Sequence, residues 1–175
     1  MTGTARRHRR PLALLAGSLI ALGWATCSTP IPRVVYNVSD SVPIGWYRIE
    51  PASSLHPEDL ALVRLPHRVM AFAAQRGYLP ANVPLLKTVA AVSPQHVCML
   101  NGLIVVGGEP VAIRLRVDRE GRELPQWSGC RHLDNGEVFL LSTTNPESFD
   151  SRYFGPVPVD AVIGRAQPLW LESLR

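Results

Sequence analysis

The chain is 175 residues long, 46% hydrophobic, and carries a formal net charge of +4, a length that suits one folded domain. Four positive charges, Arg6, Arg7, Arg9 and Arg10, lie in the first ten residues, so the remainder is close to neutral. The basic balance is therefore local and makes no case for a nucleic-acid-binding face; nucleic acid is not an expected partner.

After Arg10, Pro11 to Cys27 carries no charge, and the run stays uncharged to Pro32. A basic flank before an apolar run of this length reads as a removed signal peptide or as a retained signal anchor. Retention is favoured. Ala21-Leu22-Gly23 and Ala25-Thr26-Cys27 are poor cleavage sites, and Trp24 argues against lipidation of Cys27. The expected plan is a cytoplasmic basic segment over 1–10, an anchor helix over 11–29 and an exported domain over 33–175.

From Arg33 onward the pattern predicts short strands broken by Pro and Gly. Val34 to Tyr36, Trp46 to Ile49 and Leu60 to Leu65 read as strands. Pro66 to Arg76 reads as a helix, with Pro66 at its first position and Gly77 just past its end. Leu85 to Val92 reads as a buried strand. Asn101-Gly102 and Gly107-Gly108 sit between apolar stretches and predict a hairpin or meander from about Val97 to Leu115. Asp118 to Gly129 reads as an exposed loop, and Val138 to Leu141 and Val159 to Arg165 as the last strands. The sum is a mostly β, antiparallel domain with one short helix, in which consecutive strands pair. Cys98 and Cys130 would join as a disulfide in an oxidising compartment or stay as small buried thiols; the disulfide is favoured. The histidines are scattered and no metal-ligand spacing or phosphate loop appears, so no metal or cofactor is expected.

Lys87 is the single lysine of the chain, against 17 arginines. It lies in LLKTVAAV. On a strand, Leu85, Val89 and Ala91 would share its face, and Leu86, Thr88, Ala90 and Val92 the other. Burial between apolar faces disfavours the ammonium. It would bring the pKa from ~10.4 towards ~7–8, where a lysine can take a proton. Arginine stays protonated and cannot do this. A lysine reaching out to solvent from a strand end is the bland alternative. Ser41 is the candidate nucleophile. Pro43 holds Val42 extended, and Gly45 permits a close backbone approach. The same composition also suits an ordinary turn. Trp46 and Tyr47 read as core more readily than as substrate contacts.

The segment Asn37-x-Ser39-x-Ser41-x-Pro43-x-Gly45-x-Tyr47 resembles the nucleophile box of the signal peptidase family. Leu85 to Val92 is similar to the lysine box of that family, and Ser148-Phe149-Asp150-Ser151-Arg152-Tyr153-Phe154-Gly155-Pro156 to its C-terminal box. Three boxes in the expected order over about 120 residues, with Arg76-Gly77-Tyr78-Leu79 after the helix, resemble most the conjugative-transfer branch, the TraF-type pilin-processing peptidases. Thr88 and Ser93-Pro94 depart from the usual lysine box.

The resemblance implies a signal-peptidase-like β fold behind an N-terminal anchor. It implies Ser41 as nucleophile, Lys87 as general base, Ser39 as a hydroxyl at the oxyanion and Ser148 as the residue orienting the lysine. Asp150 and Arg152 would be a supporting pair, the alternative for them being a surface ion pair. The expected function is processing of a prepilin or other exported peptide through an acyl-enzyme, resolved by water or, in a circularising enzyme, by the substrate's own amine. Components of the conjugation apparatus are possible partners. Rival readings are a Cys98/His96 peptidase, a Ser/His/Asp enzyme on His132 and Asp134, an inactive relative, and a non-catalytic membrane-anchored β scaffold.

Overall fold

The computed structural model describes residues 13–19, 22–23 and 33–172. The chain divides into two units, Met1–Pro32 and Arg33–Arg175. In the first, residues 13–19 and 22–23 are helical. The basic segment 1–10, the rest of the expected 11–29 anchor and Cys27 lie outside the described residues. Among the described residues no helix is long and apolar enough to cross a membrane.

The second unit is mostly antiparallel β-sheet. Its elements in chain order are β1 (Val34–Asn37), β2 (Gly45–Glu50), β3 (Leu60–Val63), α1 (His67–Gln75), β4 (Leu85–Val92), β5 (His96–Leu100), β6 (Leu103–Val106), β7 (Glu109–Ile113), β8 (Gly129–His132), β9 (Glu137–Leu141), α2 (Ser151–Phe154), β10 (Val157–Pro158) and β11 (Val162–Leu171). One sheet runs β1-β2-β11-β3-β4-β9-β10, the other β7-β6-β5-β8. One buried cluster serves both sheets. Ala91, Phe139 and Leu141 from the first pack with Val97, Met99, Ile104 and Val106 from the second.

Local chemistry sets the turns. Asn101 and Gly102 both have positive φ, 52° and 87°, as do Gly107 and Gly108, at 59° and 95°. Two consecutive positive φ values make the hairpin turn whose twist matches its strands. At the end of α1, Gly77 N–H donates to Ala74 O at 3.1 Å and Tyr78 N–H to Ala73 O at 2.9 Å. These paired bonds close a helix on a left-handed glycine, and Gly77 has φ +73°. Pro66 sits one position earlier than expected. Its ψ of 143° is extended, so it is the cap, and the helix opens at His67.

Three further expectations need correction. Consecutive strands pair only in part, because β11 enters between β2 and β3, and β9 lies beside β4. The central strands β3 and β4 need backbone partners on both edges, and distant chain supplies them. A second helix of one turn, α2, follows Asp150, whose carboxylate accepts from Arg152 N–H. The last strand begins at Val162, after a 3-10 turn over Val159–Ala161, and runs to Leu171. The expected disulfide is present, joining Cys98 on β5 to Cys130 on β8.

Candidate active site

Ser41 lies in the loop from β1 to β2, and Asn37 shapes that loop. Asn37 Nδ2 donates to the carbonyls of Ser39, Val42 and Pro43 at 2.6, 3.0 and 3.2 Å. Its Oδ1 accepts from the Ser39 N–H at 3.2 Å and from the Ser39 hydroxyl at 3.1 Å. Tyr47, fully buried, donates from its hydroxyl to Pro43 O at 2.6 Å. Gly45 allows β2 to start against β11, since a Cβ there would stand 2.2 Å from Trp170 O. The sequence pattern around Ser41 thus encodes a fixed loop, and Ser41 itself is buried.

The opposite wall follows β9. The Ser142 hydroxyl donates to Ser41 O at 2.7 Å, and Asn145 Nδ2 donates to Asp40 Oδ1 at 2.6 Å. Further along, Ser148 Oγ lies 3.1 Å from Ser41 Oγ. Lys87 comes from the sheet beneath. It stands on β4 opposite Ala61 of β3, is 2% exposed, and donates to Ser148 Oγ at 2.6 Å. Ser41, Ser148 and Lys87 therefore form a series, with the Ser148 hydroxyl in the middle.

An ammonium has three donors, and among the described residues this one hydrogen bond is all that Lys87 makes. Burial brings its pKa down from 10.5 to about 8; the Asp150 carboxylate opposes that fall, the Arg152 guanidinium adds to it, and Asp40 opposes it. A primary amine near neutrality, linked by one hydroxyl to a second, can accept a proton from that second hydroxyl.

Asp150 and Arg152 are not a surface pair. Both are fully buried, and Arg152 Nε and Nη2 grip the two carboxylate oxygens at 2.7 and 2.9 Å. Arg152 also donates to Pro146 O at 2.8 Å and to Ser142 O at 2.6 Å, and the Ser142 N–H donates to Asp150 Oδ2 at 2.9 Å. The pair thereby holds the loop that carries Ser148.

Ser41 and Ser148 open onto a cleft of about 430 Å³. Its far wall comprises Arg76, Gly77 and Tyr78, just past α1, and the segment Asp118 to Leu124, whose sequence pattern reads as an exposed loop. Asp118 accepts from the Tyr78 hydroxyl at 2.5 Å and from Arg122 Nε at 2.7 Å, and Arg119 pairs with Glu147. Phe149, next to Ser148, stacks on Phe72 of α1 and Tyr153 of α2. Ser39 lines the cleft too, although its hydroxyl is turned to Asn37.

The rival residues are elsewhere. Cys98 is spent in the disulfide, and the exposed His132 bonds through Nδ1 to Pro94 O at 2.9 Å and packs on His96. His96, Cys98 and Cys130 bring ligand atoms within 4.8 Å of one another, but both sulfurs are bonded to each other.

The family described as signal peptidase, peptidase S26, matches residues 7–171. The chain belongs to the signal peptidase S26 family. Among curated relatives, it is 33% identical to the conjugal transfer protein TraF of Agrobacterium fabrum (strain C58 / ATCC 33970), over 93% of this chain and 96% of that protein. It is 34% identical to a probable conjugal transfer protein TraF of Sinorhizobium fredii (strain NBRC 101917 / NGR234), over 94% and 92%. It is 32% identical to a plasmid transfer protein TraF of Escherichia coli, over 83% and 84%. Among solved structures, a signal peptidase I from Enterococcus faecalis V583 is 16% identical, with a TM-score of 0.38, covering 65% of this chain and 97% of that one.

Two residues around this cleft escaped sequence reasoning. Asn37 opened the nucleophile box without a role, and its side-chain amide proves to be the template of the loop. Ser142 opens the polar run Ser142-Thr143-Thr144-Asn145 directly after β9, which was the available signal.

Proposed function

We propose that this chain is a membrane-anchored serine endopeptidase of a conjugative transfer system that processes a prepilin, with Ser41 as nucleophile and Lys87 as general base. The observation that carries it is the buried series Lys87–Ser148–Ser41. Neutral Lys87 draws the Ser41 proton through the Ser148 hydroxyl as Ser41 Oγ attacks a peptide carbonyl. The tetrahedral oxyanion takes the Ser41 N–H and, on a turn away from Asn37, the Ser39 hydroxyl; one such donor typically contributes ~3–4 kcal/mol. Protonated Lys87 then returns its proton to the leaving amine, and the acyl-enzyme remains. Water, deprotonated by Lys87 in turn, releases the acid; an amine of the substrate would release an amide instead.

The names of the TraF relatives support the conjugative setting. The basic residues before an apolar run support an inner-membrane anchor over 11–29, a cytoplasmic N-terminus and a periplasmic domain over 33–175. The test is intact mass of the prepilin of the same transfer system, expressed with and without the full chain. Processing yields a shorter product. A product lighter by one further water is a circle. An unchanged prepilin in the presence of the folded, exported chain overturns the substrate assignment.

A further inference from the structure

Ser142 is 2% exposed and uses every polar group it has. Its N–H donates to Asp150 Oδ2 at 2.9 Å, and its carbonyl accepts from Arg152 Nη2 at 2.6 Å. Its hydroxyl donates to Ser41 O at 2.7 Å and accepts from the Asn145 N–H at 3.1 Å. Thr144 Oγ1 lies 3.3 Å from Asp40 O and 3.4 Å from Ser41 O. The carbonyls on both sides of the Ser41 Cα are thus turned towards the loop after β9.

In a trans peptide the C=O and N–H point in opposite directions. Turning Asp40 C=O towards Thr144 therefore turns the Ser41 N–H away from that loop. This N–H has no acceptor among the described residues, and Ser41 lines the cleft. Thr144 Oγ1 rests against the peptide plane that carries the N–H, and the Ser142 hydroxyl holds the plane that follows. Together they restrict the backbone torsions of Ser41, while the Ser148 hydroxyl meets its Oγ.

We infer that Ser142, seconded by Thr144, is a positioning residue that holds the Ser41 N–H towards the oxyanion formed in the cleft. The inference rests on Ser41 being the nucleophile. It gives the buried Asp150–Arg152 pair a second task. The pair grips the main chain of Ser142 on both sides of its Cα, and Ser142 passes that rigidity to the nucleophile loop. A donor aimed at the transition state raises kcat and leaves ground-state binding alone.

The test uses the full chain in detergent and cleavage of its peptide substrate. It also uses a peptidyl aldehyde carrying the residues on the acyl side of the cleaved bond. The aldehyde forms a tetrahedral adduct with an active serine and so reports on the oxyanion donor. Ser142→Ala lowers kcat by about 10–100-fold, part of the ~10²–10³ lost with a whole oxyanion donor. KM stays within about twofold, aldehyde affinity falls in step with kcat, and the pH midpoint of the rate stays in place. Ser142→Cys keeps the shape of the side chain with a feeble donor and reproduces the loss should the alanine variant fold poorly. The inference is overturned if folded variants keep kcat, or if KM rises together with the aldehyde constant. Activity surviving in Ser41→Ala would instead sink the nucleophile assignment on which it rests.

Discussion

Lys87 Nζ lies 2.6 Å from Ser148 Oγ, and that same hydroxyl is 3.1 Å from Ser41 Oγ. Lys87 and Ser41 are thus joined through a third side chain carried on a different segment. Ser148 follows β9, whereas Lys87 is on β4 and Ser41 follows β1. The site assembles only when three parts of the chain meet.

Ser148→Ala removes the link. General-base assistance is typically ~10²–10⁴-fold, and kcat should fall by about 10²–10³, with KM little changed. Steady-state kinetics on the prepilin or a peptide from its processing site would check this. A variant that kept near wild-type kcat would mean that Lys87 reaches Ser41 without Ser148.

The pH dependence follows from burial of Lys87. Its pKa is about 8 when folded, against an ordinary 10.5. As the proposed base, Lys87 acts in its neutral form, so kcat/KM should rise with pH through a midpoint near 8. Stability has the same sign. Below the folded pKa both states hold the proton and the burial penalty is complete. Between about 8 and 10.5 the unfolded state binds more protons, so stability rises with pH. Lys87→Met should be inactive yet more stable near pH 7 by about 1–3 kcal/mol, with the gain shrinking above pH 8. Thermal unfolding across pH, with wild type alongside, measures it.

The Asp150–Arg152 pair shifts that midpoint in opposite directions. The carboxylate holds the Lys87 pKa up and the guanidinium pushes it down. Asp150→Asn should lower the midpoint and Arg152→Met should raise it. Both break a buried pair, which typically costs about 3–5 kcal/mol, so accumulation of folded protein should drop in each. A midpoint that moves the same way in both variants would contradict the electrostatic assignment.

Much of the fold was legible because it rests on local chemistry. Pro66, Gly77, Asn101-Gly102 and Gly107-Gly108 mark backbone conformations that few other residues accept. The single lysine in an apolar strand announced its own burial. Long-range choices were not legible. β11 separates β2 from β3, although nothing in Val162 to Leu171 names its partners, and β8, four exposed residues, has no apolar period to detect. The roles of Asn37 and Ser142 depend on side chains meeting main-chain carbonyls, which composition does not encode. Ser39 was expected at the oxyanion, and its hydroxyl rests on Asn37.

The disulfide should matter for stability and not for chemistry. Cys98 and Cys130 are 32 residues apart, and neither lines the cleft. A loop of that size contributes about 3–4 kcal/mol by chain-entropy reasoning. The double variant Cys98→Ser/Cys130→Ser should unfold at lower denaturant concentration while retaining wild-type kcat per folded molecule. Loss of kcat in folded protein would tie the small sheet to the site.

The central claim is the pairing of Ser41 with Lys87, and the most direct measurement is prepilin cleavage by wild type, Ser41→Ala and Lys87→Ala, each as the full chain in the same membrane preparation. The account predicts processed prepilin with wild type and intact prepilin with both variants, while the variants remain folded and exported. Processing that survives either substitution would contradict it.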